Sequence, residues 1–343
     1  MKPNLPLVLL LPLFLTQCGD EAKKPVDAPK PVAEKQGGEQ QAAEKPVMEK
    51  AVAEKQPMEK QPMTAAPADA KPEPATAAPA PAKDAPKKVY WTEQMMHTEI
   101  KYHNPTYMGE GQFNIQAGDV VALSLKGAKI ENAKFLEHIE PVVLDLSETP
   151  ITDLRPLQGK KLVELYLEDT KVRDLSPLRG MPLEKLYLSR TPVENLAALE
   201  NMPLKELNAL GCPIGDLSGI AKCPIQMLWL TNCPVEDIRP LKTVPMISLT
   251  LQGTRVKDLT PLAGTDLQRL HIAETPVTDL SPLKGMKLSR LVFTPANIKA
   301  GIDVAKALPL EKIGTRFDDG GNDLMSPSDF WPAYDAAVKA AGK

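Results

Sequence analysis

The chain has 343 residues, of which 43% are hydrophobic and only 4% aromatic, and its 41 basic and 44 acidic side chains leave a formal net charge of −3. That near-balance supplies no electrostatic footprint for nucleic acid. Cys18, Cys212, Cys223 and Cys233 are too few for a disulfide scaffold and lack the paired spacing of a zinc site. His97, His103, His138 and His271 are scattered, with no His-Glu-x-x-His, so neither a metal nor a cofactor is implied.

Residues 1–18 place Lys2 before a Leu-rich run from Leu5 to Leu15, followed by Thr16-Gln17-Cys18-Gly19. The run is about 11 residues, well short of the ~20 that cross a bilayer as a helix, so it predicts an export signal. The segment resembles a bacterial lipoprotein signal, whose lipobox ends in a Cys that is diacylated and becomes the new N-terminus. Leu15 and Thr16 fit that pattern, and Gln17 stands where it has a small residue. The resemblance implies lipidation of Cys18 and attachment to the cell envelope; an ordinary secretory signal is the alternative.

Residues 19–88 contain no aromatic residue, no Leu and no Ile, and are dominated by Pro, Ala, Lys and Glu. No hydrophobic core forms from such a stretch, which predicts a disordered linker. As a flexible coil it spans roughly 45 to 50 Å, enough to hold a folded head clear of a membrane.

From Val120 the sequence repeats with a period of 21 residues, in units opening at Val120, Pro141, Leu162, Leu183, Leu204, Ile225, Met246, Leu267 and Leu288. The shared pattern is L-x-x-L-x-L-x-x-T-x-V-x-D-L-x-P-L-x-G-x-x, which is a leucine-rich-repeat signature. Alternation in Leu165-Tyr166-Leu167 predicts a short strand with Leu inward and Tyr outward, one strand per unit in a parallel sheet. At the ninth position Thr149, Thr170, Thr191, Cys212, Cys233, Thr254 and Thr275 are expected to ladder between coils. Asp174-Leu175-Ser176-Pro177-Leu178 reads as an Asx-type turn, then a Ser N-cap with Pro at the first position of a short 3₁₀ or helical turn. Residues 120–309 resemble the leucine-rich repeats of bacterial surface proteins of the internalin kind. They are also similar to the 21-residue repeats that accompany some bacterial Ser/Thr kinases, though no kinase motif is present. The resemblance implies an α/β right-handed solenoid with a concave parallel sheet, used for binding and carrying no catalytic residues.

A solenoid needs covers at both ends. Residues 89–119, with Trp91, Ile100, Tyr102, Tyr107, Phe113 and Ile115, predict an N-terminal cap of a short helix and a hairpin. Ala296 to Leu308 has helical spacing, Leu310 to Ile313 suits a last strand, and residues 310–343 form a C-terminal cap plugged by Phe330, Trp331 and Tyr334.

Gly109-Glu110-Gly111 opens like a kinase glycine loop but lacks every companion motif, so it reads as a hairpin turn. Asp318 to Asp323 lacks the spacing of a calcium loop and reads as a solvated loop. Cys212 and Cys233, one period apart, sit within disulfide range, and either a bridge or two buried thiols satisfies the pattern. The fifth position of successive units gives Ser124, Asp145, Tyr166, Tyr187, Asn208, Trp229, Thr250, His271 and Val292 as outward side chains. The aromatic row Tyr166, Tyr187 and Trp229 has hot-spot composition. Asp145 and Glu164 gather acid early on this face, while Arg269, Arg290 and His271 lie late, so these eight residues are the candidate ligand-binding set. A protein partner is expected, with a glycan stacked on the same aromatic row as the alternative.

Overall fold

The structure, a computed structural model, describes residues 88–316 and 323–340. Cys18, the tether through Lys87 and Asp318 to Asn322 of the acidic loop lie outside the described residues.

Helix α1 (Glu93–His103) starts at Thr92, whose hydroxyl accepts the Met95 N–H at 3.2 Å, the ordinary N-cap arrangement. Its spacing buries Met96 and Ile100 on one side and leaves Tyr102, two residues on, 79% exposed, contrary to the expectation that Tyr102 joins the cap core. Strands β1 (Gln112–Gln116) and β2 (Asp119–Ser124) form an antiparallel hairpin across Ala117 and Gly118, both at positive φ, as a two-residue turn requires. Gly109 to Gly111, expected as a hairpin turn, is instead an irregular segment bending at Gly109 and leading into β1. The buried Tyr107 hydroxyl there accepts the Gly111 N–H at 2.8 Å and bonds His97 Nδ1 at 2.8 Å.

Each later unit contributes one strand: β3 (Val143–Asp145), β4 (Glu164–Tyr166), β5 (Lys185–Tyr187), β6 (Glu206–Asn208), β7 (Met227–Trp229), β8 (Ser248–Thr250), β9 (Arg269–Ile272) and β10 (Arg290–Phe293). With β11 (Lys312–Gly314) they build one 11-stranded sheet in chain order, parallel from β2 onward. Residues one period apart pair directly, as Leu165 with Leu186 and Leu186 with Leu207, so the sequence period is the sheet register. The alternating pattern drives the packing. In the unit opening at Leu183, Leu183, Leu186, Leu188, Val193, Leu196 and Leu199 are each at most 1% exposed. Burying such a side chain contributes about 1.5–3 kcal/mol, most of it offset by chain ordering.

Three details of the coil are dictated locally. The eighth residue of the first eight units is left-handed: Gly127, Glu148, Asp169, Arg190, Gly211, Asn232, Gly253 and Glu274 all have φ between 56° and 73°. This bend aims the residue's N–H at the next coil, as in Glu148 N–H to the Glu168 carbonyl (2.7 Å) and Gly211 N–H to Thr231 (2.8 Å), so the ladder continues past the strand. Next, the ninth-position Thr hydroxyls donate within their own coil, Thr149 to the Leu146 carbonyl and Thr170 to Leu167 at 2.6 and 2.7 Å, while Thr191 also meets the next coil, Oγ1 to Cys212 Sγ at 3.4 Å. Cys212 and Cys233 do reach back one coil, to the carbonyls of Leu188 and Ala209 at 3.0 Å, and both are free thiols. Burial pushes the Cys233 thiol up to about 12.

Last, the 3₁₀ turns opposite the sheet are capped by Asp, or by Asn195 in one coil, and not by Ser. Asp174 Oδ1 accepts the Ser176 N–H at 2.8 Å, Ser176 is already the first 3₁₀ residue, and Pro177 is the second. The closing turn then depends on one residue. Gly159, Gly180, Asn201, Gly264 and Gly285 take positive φ there, the type II geometry. Where Lys222 and Thr243 occupy that place, the preceding Ala221 and Lys242 switch to ψ −20° and −34°, a type I geometry that non-glycine residues adopt without strain.

At the C-terminal end the helix expected over 296–308 shortens to α2 (Ile302–Lys306). Ala300 instead bridges Asp279 as strand, and Gly301 passes so close to the preceding coil that a Cβ would lie 2.4 Å from Ser281 N. Helix α3 (Pro327–Ala340) sets Phe330, 6% exposed, against Phe293 at 6.1 Å between ring centroids, with Trp331 and Tyr334 beside it.

Candidate interaction surface

Two columns of side chains stand outward on the sheet, one from the third and one from the fifth position of each unit. In the fifth, Tyr166 and Tyr187 lie 4.9 Å apart between ring centroids and tilted by 32°. Trp229 follows at 6.4 Å from Tyr187, although Asn208 intervenes in the ladder. Two rungs separate their backbones by ~9.6 Å, so these rings lean toward each other over Asn208. All three aromatic side chains are half-buried.

The third column fixes the tyrosines. Tyr166 donates its hydroxyl to Glu164 at 2.8 Å and Tyr187 donates to Glu206 at 2.9 Å. Burial first, and then these carboxylates, push both phenols well above their ordinary range, so neither ionises near neutral pH. The phenol protons are therefore committed, and the tyrosines offer rings rather than donors.

Charge on the early half of the face does not cancel. Lys126 pairs with Glu148 at 3.1 Å, Lys185 with Glu164 at 3.2 Å, and Arg190 with Asp169. Asp145 accepts Ser124 Oγ and Ser147 N–H at 2.9 Å and is felt by Lys126, but forms no close ion pair among the described residues. Glu168 and Glu206 likewise have no ion pair there. The acidic excess on this half is thus Asp145, Glu168 and Glu206.

The candidate set does not form one patch. Tyr166, Tyr187, Glu164 and Asp145 lie on neighbouring strands β3 to β5, and Trp229 joins them by leaning. Arg269 and Arg290 occupy adjacent rungs of β9 and β10, at the other end of the sheet. His271, read from strand parity as an exposed contact residue, is only 6% exposed, and its neighbour Val292 is 1% exposed. Burial holds the His271 imidazole down at about 4, so it is neutral at pH 7. Parity gives the face a side chain projects from, not what covers that face near a cap.

Sequence reasoning gathers Glu168 with the early acids of this face but misses Glu206 and the tie of both to Tyr187, and it misses the left-handed eighth position. The latter had a signal: Gly127, Gly211, Asn232 and Gly253 recur at one fixed place, and Gly and Asn are the residues that enter this region readily. Among the described residues no three His, Cys, Asp or Glu side chains converge as a metal site requires. Two shallow depressions, of about 400 and 450 Å³, lie off the sheet face. One is bordered by Lys284, Met286 and Asp303, the other by Asp237, Arg239 and Asp258.

The 21-residue period, the L-x-x-L-x-L strand and the one-strand-per-unit parallel sheet identify the architecture. The fold is a leucine-rich-repeat solenoid. Among solved structures the chain is similar to an internalin (inlF) of Listeria monocytogenes, at 25% identity and a TM-score of 0.47, over 58% of this chain and 70% of that one. An internalin C2 (inlC2) of the same organism matches at 23% identity and a TM-score of 0.48, over 58% and 92%. The plant peptide hormone receptor RGFR1, solved in complex with RGF2, matches at 17% identity and a TM-score of 0.42, over 57% of this chain and 37% of its own. No protein-family model matches the chain, and no curated protein does.

Proposed function

We propose that this protein is a non-enzymatic interaction module of the bacterial cell envelope, docking a protein partner on the outer face of its sheet. In this reading it is exported, held by lipid on Cys18, and residues 19–88 are the spacer. The observation that carries it is the Tyr166–Tyr187–Trp229 stack in the middle of a sheet face, in a chain only 4% aromatic. Such rings bury much area at low rotamer cost and dominate binding energy where they cluster. Among the described residues no nucleophile, base and orienting group converge beside it, which favours recognition over catalysis. The glycan alternative is the weaker: both tyrosine hydroxyls already donate to Glu164 and Glu206 and have no proton left for a sugar oxygen.

A crosslinking pull-down from envelope extract with the full chain tests the site. The double variant Tyr187→Ala with Trp229→Ala is expected to lose the partner, since aromatic hot spots contribute about 2 kcal/mol or more each to binding. Folding stability falls too, because both rings are half-buried, but by less per ring than the about 3 to 5 kcal/mol of a fully buried aromatic truncated to alanine, so capture is compared at equal folded fraction. Equal capture by wild type and double variant would move the site off this face. For the anchor, Cys18→Ala is expected to release a folded head from the membrane fraction; retention of the variant, or absence of acyl label on the wild type, overturns that part.

A further inference from the structure

We infer that the aromatic stretch over β4 to β7 receives an arginine-bearing segment of the protein partner, with guanidinium groups on the Tyr187 and Trp229 rings and on the carboxylates of Glu168 and Glu206. The inference rests on the reading of this face as a protein-docking surface, and it specifies the chemistry of what docks.

The first ground is what the face lacks. The hydroxyls of Tyr166 and Tyr187 are donated to Glu164 and Glu206, and the three nearby cations, Lys126, Lys185 and Arg190, each hold a carboxylate of their own. Among the described residues, a carboxylate, phosphate or sulfate arriving here would find no uncommitted cation. The second ground is what remains. Glu168 and Glu206 flank Tyr187 from opposite sides, the first from the seventh position on the β4 coil and the second from the third position on β6. Both act on the Tyr187 phenol, in support of their closeness to it. Neither has an ion pair among the described residues. Acceptor-only oxygens beside tilted aromatic rings attract cations through charge and through the ring quadrupole.

Geometry then separates arginine from lysine. A planar guanidinium stacks on a ring and presents a fork to a carboxylate, whereas an ammonium is a hydrated point charge that does neither. The two flanking carboxylates are four residues apart along the strand direction and two rungs apart across it. They come from coils on either side of Tyr187, so a segment lying across that ring meets each with a basic side chain of its own.

The test uses the full chain and fluorescence anisotropy of a labelled tetra-arginine peptide, its citrulline counterpart of the same shape and no charge, and tetralysine. The arginine peptide is expected to bind about tenfold or more tighter than the citrulline peptide, and tighter than tetralysine. Glu168→Gln and Glu206→Gln should each weaken it about threefold or more without moving Tm, while Glu236→Gln, on the far turns, leaves it unchanged. Equal binding of the citrulline or lysine peptide, indifference to both Gln variants, or no binding of the arginine peptide overturns the assignment. Should the arginine peptide fail while partner capture still depends on Tyr187 and Trp229, the docking face stands and only the arginine assignment falls. Should capture ignore those residues, both fall.

Discussion

A histidine on the outward parity of a strand is ordinarily a solvent residue titrating near 6.5. His271 is buried, and burial lowers its imidazole to about 4. Between these values the unfolded chain holds a proton that the folded chain does not, so folding stability rises with pH through this window and is lost as pH falls. The loss is about 1.4 kcal/mol per pH unit, reaching roughly 3 kcal/mol by pH 4, and above pH 6.5 the group contributes nothing. His271→Gln removes the titration while keeping a polar side chain. Urea midpoints at pH 7, 5.5 and 4 are expected to fall more steeply in the wild type than in the variant. Parallel curves for the two proteins would show that this imidazole is not what couples the fold to acid.

Within one coil, the strand and the turn depend on different physics, and substitution separates them. Leu228 points into the coil at 1% exposure, and Leu228→Ala is expected to lose about 2 to 5 kcal/mol through lost burial and the cavity left behind. Asp216 is exposed, yet its carboxylate accepts both the N–H and the hydroxyl of Ser218 at 2.8 Å, so Asp216→Ala should lose about 1 kcal/mol, the worth of a lost cap. Asp216→Asn should lose much less, because Asn195 caps the equivalent turn with its own Oδ1, bonding the Ala197 N–H at 2.7 Å. Equal losses from the Ala and Asn variants, read from chemical unfolding, would mean that the charge and not the cap matters. The same contrast explains what was legible in the sequence. Leu165, Leu186 and Leu207 recur every 21 residues because each meets its equivalent across one rung, so period, strand and register are one fact written in the chain. The turn was legible in its residues but not in their division of labour: Ser176 looks like the cap, while Asp174, two residues earlier, does the capping. The aromatic row was visible by parity. Its ties to Glu164 and Glu206 were not, since they depend on which rotamers the rings take against neighbouring coils.

Across the whole repeat array each coil packs on the coils before and after it, so stability propagates as nearest-neighbour terms and an end is only as firm as its cover. At the C-terminal end Phe293 is fully buried in the last coil, and what closes over it is Phe330 of α3, with Trp331 beside it at 6.4 Å from Phe293. This is where the 21-residue rule stops: β11 pairs with β10 at a spacing of 22, Arg290 with Lys312, and the cover comes from a helix that the repeat pattern does not contain. Phe330→Ala therefore removes a keystone outside the repeats. A buried Phe truncated to Ala loses about 3 to 5 kcal/mol, but in a linear array that loss falls first on the neighbouring rungs. Hydrogen exchange is expected to speed up in β11 and β10 and to remain slow in β4 to β7, leaving the Tyr166–Tyr187–Trp229 stack able to bind. Uniform acceleration along all the strands would instead mean that the solenoid unfolds as a single cooperative unit, and that its binding face has no stability independent of its C-terminal cap.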